Sequence, residues 1–152
     1  MDVMSAGVTA AGEGLLGVRW SILGQTYVPM QVSVASFAWH ATFPPEHFVP
    51  PHIHAAQDEF IYMLQCRFEL MLGGESAAAG PGDLIRLPMG QPHGIFNRSD
   101  ETVTCLFWVA PTRRLWDLFQ GIHDLPEQTP EAVTAIAALH EVEFLPPPPG
   151  VG

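Results

Sequence analysis

The stretch Pro50-Pro51-His52-Ile53-His54-Ala55-Ala56-Gln57-Asp58-Glu59-Phe60-Ile61-Tyr62-Met63-Leu64 decides the reading of this chain. On a β-strand alternate side chains share a face, so His52 and His54 point the same way. Glu59, Ile61 and Met63 share a face of the segment that follows, and that face suits an interior. Much later His93 stands between the turn Pro88-Met89-Gly90 and a short segment ending at Asn97. Each piece alone has an ordinary reading: a hydrogen-bonded histidine pair, a surface carboxylate, a turn histidine. Together they offer three imidazoles and a carboxylate. Imidazole suits Zn, Fe, Ni and Cu, and a carboxylate extends the choice to Mn. Such a set leaves a divalent ion with net positive charge and with positions open for water, substrate or dioxygen.

Outward from this stretch the chain reads as short β segments. They are Val18–Leu23, Tyr27–Phe43, Glu59–Leu72, Asp83–Leu87, His93–Asn97 and Thr102–Ala110. Gly73-Gly74, Pro81-Gly82 and Pro88-Met89-Gly90 punctuate them. The spacing predicts an antiparallel sandwich or barrel, without internal repeat. Residues 1–14 are small and unpatterned and read as a flexible tail, and residues 15–111 as the β domain. From 112 the period changes. Thr112 is placed to cap a helix carrying Leu115, Leu118, Phe119 and Ile122 at i, i+3, i+4, i+7. Thr129-Pro130-Glu131 begins a second helix. These two helices, within 112–145, are expected to pack on the barrel, and 146–152 is a Pro-rich tail.

The 152 residues suit one domain with a sizeable core. Six basic against sixteen acidic residues give a net charge of -10. That balance repels phosphate backbones and anionic bilayers, which argues against nucleic acid and membrane partners. No run approaches the ~20 apolar residues of a membrane span. The N-terminus lacks the basic and apolar regions of a secretory signal. Two cysteines, Cys66 and Cys105, are not a disulfide framework and are expected to be free thiols. A cytoplasmic location is the expectation. The segment Glu59–Leu64 is apolar on both faces, as is most of Thr102–Ala110, so a second cover is expected outside the sheet. The C-terminal helices or a second subunit would supply it, and a homodimer is the expected state.

Two motifs in order make the chain resemble the cupin superfamily. The first is His52-Ile53-His54, four residues, then Glu59. The second is Gly82, five residues, Pro88-Met89-Gly90, two residues, His93, three residues, Asn97. The resemblance covers roughly residues 25–110. It implies an all-β fold, a double-stranded β-helix or jelly-roll barrel, here with two short C-terminal α-helices. It also implies one divalent ion (Fe, Mn, Ni, Zn or Cu) held by His52, His54, Glu59 and His93. Two positions depart from the family pattern. Cys66 stands where a Gly is expected after the glutamate, so that turn is expected to be built in another way. The leading Gly of the first motif is replaced near Glu46 or His47.

The resemblance to quercetin dioxygenase-like single-domain cupins implies a metal-dependent dioxygenase acting on a flavonol-like or other enolisable apolar molecule, with Glu59 as the catalytic base. A metal-dependent isomerase, lyase or polyketide cyclase is the alternative, and a small-molecule-binding module a third. His40, His47, Phe48, Met63 and Phe107 are expected to line the substrate pocket. Gln57 lies near enough to bond beside the ion, though an ordinary role is favoured for it. No nucleophile elbow, phosphate loop or dinucleotide fingerprint occurs.

Overall fold

The computed structural model describes residues 4–146. Residues 1–3 of the expected N-terminal tail and 147–152 of the Pro-rich tail lie outside the described residues. Among the described residues eleven strands form two antiparallel sheets. In chain order they are β1 (Trp20–Ile22), β2 (Gln25–Val32), β3 (Phe37–Phe43), β4 (Phe48–His54), β5 (Asp58–Gln65), β6 (Phe68–Leu72), β7 (Glu75–Ala79), β8 (Leu84–Leu87), β9 (His93–Phe96), β10 (Val103–Ala110) and β11 (Val142–Phe144). One sheet runs β1-β2-β3-β10-β5-β8 and the other β11-β4-β9-β6-β7. Helices α1 (Leu115–His123) and α2 (Pro130–Ala138) come between β10 and β11. The expected mostly-β jelly-roll architecture is present, with its sheets packed face to face.

Strict alternation builds the core. Phe37, Trp39, Ala41 and Phe43 of β3 point inward, as do Val103, Cys105, Phe107 and Val109 of β10. Glu59, Ile61 and Met63 of β5 follow the same phase. The long segments predicted from sequence break at turns. The stretch after Tyr27 folds back between Val32 and Phe37, and the one after Glu59 folds back at Cys66.

Cys66 adopts φ 64, and Glu46 adopts φ 66. Both are the left-handed conformations a glycine takes without strain. The expectation of a differently built turn at Cys66 is therefore corrected. The backbone is the glycine backbone, carried by a residue with a side chain, at a cost of about 1–2 kcal/mol.

Two further corrections concern the C-terminal part. Thr112 does not cap α1: its hydroxyl donates to the Ser33 carbonyl, and the N-cap position is Arg114, without a side-chain bond. Thr129 does cap α2, accepting from Ala132 N at 3.1 Å. The segment to 145 is not all helical, because β11 returns to pair with β4. Val142 lies opposite His54 there, and Phe144 opposite His52.

Helix α1 buries Leu115, Trp116, Leu118, Phe119 and Ile122. This stripe closes one end of the barrel rather than covering a sheet from outside. Trp116 meets Trp20 edge-on at 4.8 Å, and Phe119 lies 5.0 Å from Trp39 and 5.1 Å from Tyr27. The Trp20 indole donates to Gln120 Oε1 at 3.0 Å. Hence the helices do not cover the outer face of β5 and β10. There Phe60 stacks on Trp108 at 5.3 Å, and Tyr62, Leu64 and Leu84 are exposed. No helix of the described residues is long and apolar enough to cross a membrane.

Candidate metal centre

The histidines reach the interior through an irregularity at the two prolines. Between Val49 and His52 the register of β4 against β9 shifts, so that Val49 faces Ile95 and His52 faces His93. Three steps on one strand match two on the other. This is a β-bulge, and prolines suit it because they have no N–H to lose from the ladder. The bulge puts Val49, His52 and His54 all inside. His52 and His93 are then direct neighbours across the sheet, with ring centroids 4.3 Å apart. Glu59 comes from the other sheet, on β5.

Ligand atoms of His52, His54, Glu59 and His93 all lie within 4.8 Å of one another, and all four residues are buried. Glu59 Oε2 is 3.1 Å from both His54 Nε2 and His93 Nε2. The remaining ring nitrogens are held from behind. His52 Nδ1 donates to Pro50 O at 2.8 Å, His54 Nδ1 to Gln57 Oε1 at 2.7 Å, and His93 Nδ1 to Gln91 O at 3.0 Å. Carbonyl oxygens only accept, so each Nδ1 carries the hydrogen. Each Nε2 of the neutral ring is then a lone pair aimed at the centre. Glu59 Oε2 and His93 Nε2 have no hydrogen-bond partner. Converging buried lone pairs repel one another unless a cation or proton lies among them. The donor set therefore fits a divalent ion, and the cluster could hold one.

Protonation follows from the same crowding. Burial, then the neighbouring imidazoles of His93 and His54, hold His52 well below the usual histidine range. It is neutral and ready to ligate at pH 7. Burial alone would push Glu59 up, but His54 and His93 outweigh it and hold the carboxyl well below its usual value. Burial also opposes charge on His54, yet the Glu59 carboxylate beside it raises its pKa. A proton on His54 thus competes with a metal for one place.

Gln57 matters more than its sequence context suggested. Its Nε2 donates to Pro111 O at 2.9 Å and Thr112 O at 3.0 Å, which leaves Oε1 facing His54. Outer partners of this kind fix ring orientation in metal sites. Asn97, the last residue of the second motif, is structural: its amide donates to the carbonyls of Phe43, Pro44 and Glu101.

A cavity of about 50 Å³ opens beside His52, His54 and Glu59. Its walls are Ile22, Tyr27, Trp39, Val49, Ile95 and Phe107 from the barrel, the buried stripe of α1, and Val142 and Phe144 of β11. Of the five residues expected to line a substrate pocket, Phe107 lines this inner cavity. His40 lies between inward-pointing Trp39 and Ala41, so parity turns it to the outer face. Met63 is inside but deeper, beyond Ile61, and is not part of the cavity wall. His47 and Phe48 line a separate outer groove.

The wall also carries two polar groups, of which Tyr27 was missed from sequence. Tyr27 donates to Gln25 Oε1 at 2.7 Å, and burial, with the Glu59 charge, raises its pKa well above 10.0, so it stays a neutral hydroxyl. The Trp39 indole N–H is buried without an acceptor. Both sit on inward strand positions, Tyr27 on β2 and Trp39 on β3.

The Cupin domain family matches residues 39–109, which include all four of these residues. Residues 39–109 are a cupin domain. Its solved structural neighbours agree. TT1209 from Thermus thermophilus is 26% identical, with TM-score 0.54, over 57% of this chain and 83% of that one. KdgF from Halomonas sp. is 24% identical, with TM-score 0.57, over 61% and 85%. An RmlC-like cupin from Shewanella frigidimarina is 15% identical, with TM-score 0.65, over 74% and 96%. The last two show the fold alone. No curated protein sequence matches this cupin.

Proposed function

We propose that this cupin is a metal-dependent enzyme acting on an enolisable, largely apolar molecule, with dioxygen as co-substrate. One observation carries the reading: a three-histidine, one-glutamate donor set opens on a cavity whose other walls are almost wholly apolar. A divalent ion of the Fe, Mn, Ni, Zn or Cu group, bound there, supplies a Lewis acid that lowers the pKa of a coordinated hydroxyl. His52, His54 and His93, locked by their Nδ1 bonds, would hold the ion with Glu59 as the fourth ligand. Glu59, with an oxygen unpartnered in hydrogen bonding, accepts the proton of the substrate hydroxyl as general base. The Trp39 N–H is a free donor for a substrate oxygen, and the cap of α1 excludes water.

An oxalate oxidase and a sugar phosphate isomerase share the fold at 17% and 20% identity, so the fold admits both redox and non-redox chemistry. The wall favours neither a sugar nor a phosphate, because it offers few polar partners. Oxygen uptake by protein loaded with Fe, Mn, Ni or Cu, across flavonols, β-diketones and catechols, tests the proposal. Metal-dependent uptake that vanishes in Glu59→Gln is expected. Turnover under strict anaerobiosis to a product of unchanged mass would move the protein to the isomerase, lyase or cyclase class.

Two lesser proposals complete the picture. The free thiols Cys66 and Cys105 fit a reducing, cytoplasmic setting. A homodimer pairing the apolar outer faces of β5 and β10 would cover Tyr62 and Leu64. Sedimentation equilibrium should give a dimer that Tyr62→Glu with Leu64→Glu splits.

A further inference from the structure

The inner cavity holds about 50 Å³, room for a few waters or a diatomic molecule but not for a ring system. Beside it lies an outer groove of about 680 Å³. The two spaces have two wall residues in common, Leu23 and Phe144. Phe144 lies on the last residue of the edge strand β11, with its ring 5.4 Å from that of His52. Leu23 sits in the turn between β1 and β2 at φ 52. Its backbone is pinned: Leu23 N donates to Gln128 Oε1 at 2.6 Å, while Gln128 Nε2 donates to Ser21 O and Ile122 O. The next residue, Gly24, is at φ 82, and a Cβ there would fall 2.5 Å from His47 Nε2. The floor of the groove is thus packed in place by a glycine and a glutamine.

We propose that the groove is the second half of the substrate site and that Leu23 and Phe144 are its specificity-determining door. An oxygen-bearing head passes between these two side chains to His52, His54 and Glu59. An elongated, uncharged, apolar body stays outside against Phe48, Pro50, Val133 and Leu145. The chemistry of the groove selects that body. Its walls are mainly aliphatic and aromatic, His47, Gln128 and Thr134 add a few hydrogen-bonding groups, and Glu46 together with the net charge of -10 repels anions. The proposal rests on the metal reading above and adds the length and polarity of the ligand to it.

Straight-chain alkyl hydroxamates of two to eight carbons, titrated into Co(II)-loaded full-length protein, test it through the visible spectrum of the ion. Beyond the shortest heads, Kd should fall about three- to fourfold per methylene until the groove is filled. Thr134→Trp, at an exposed position on the groove wall, should abolish the gain with length and leave acetohydroxamate binding unchanged. Phe144→Ala should speed association of the eight-carbon probe. A Kd independent of chain length, or a length gain that survives Thr134→Trp, overturns the proposal while leaving the metal site standing. A gain seen only after removal of residues 147–152 assigns the groove to the chain's own end and also overturns it. A cobalt spectrum that no hydroxamate perturbs would instead sink the metal reading itself.

Discussion

The two ends of the barrel are built by the same strands and filled in opposite ways. At one end Phe43, Met63, Phe68, Val103 and Cys105 are all fully buried, and Phe43 meets Phe68 edge-on at 4.8 Å. At the other end His52, His54, Glu59 and His93 turn lone pairs toward a cavity that α1 roofs over. Strand β5 serves both, sending Glu59 to one end and Met63 to the other, four residues or about 13 Å apart. At the apolar end dispersion and burial suffice. At the polar end four acceptors converge, and a proton or a metal ion must lie among them. That end is complete only with something cationic in it, and there stability and function become the same question.

The contrast can be broken from either side. Phe43→Ala at the solid end should cost about 3–5 kcal/mol of unfolding free energy, read from urea melts, equally with and without metal. At the other end, metal at a thousandfold its Kd should add about 4 kcal/mol to wild type. The same metal should add almost nothing to His52→Ala. Because ions and protons compete for the same lone pairs, that gain should shrink as the pH falls. Gln57→Leu keeps the four ligands but frees the His54 ring, and should weaken metal affinity about 10–100-fold by competition titration.

The smallest effect lies in neither end. Glu46→Gly relieves a left-handed residue on the surface and should raise Tm by about 2–4 °C, an increment near 1 kcal/mol. A lowered Tm would show that the Glu46 side chain contributes more than its backbone costs.

Much of this was legible in the sequence because strand parity is a local rule. His52 and His54 are two apart, Glu59 is in phase with Ile61 and Met63, and His93 keeps its spacing from Gly82 and Asn97. His40 was legible by the same rule, since Phe37, Trp39, Ala41 and Phe43 claim the inner face and leave it outside. Other features depend on contacts between distant segments, and periodicity does not encode those. The bulge at Pro50-Pro51 sets the phase of the histidines only through its pairing with β9. Gln57 acts through carbonyls 54 and 55 residues away. The apolar stripe of α1 was visible, but not that it roofs the cavity. A three-residue strand such as β11 carries too little pattern to be seen before its partner is known.

The central claim is that three imidazoles and one carboxylate bind a single divalent ion. It is tested most directly by elemental analysis of untagged protein, beside His52→Ala and His93→Ala prepared in the same way. The account predicts one divalent ion per chain in wild type and loss of that ion in both variants, with the β-sheet circular dichroism kept. A wild type that stays metal-free after incubation with Fe, Mn, Ni, Zn or Cu, or variants that retain a full equivalent, would contradict it.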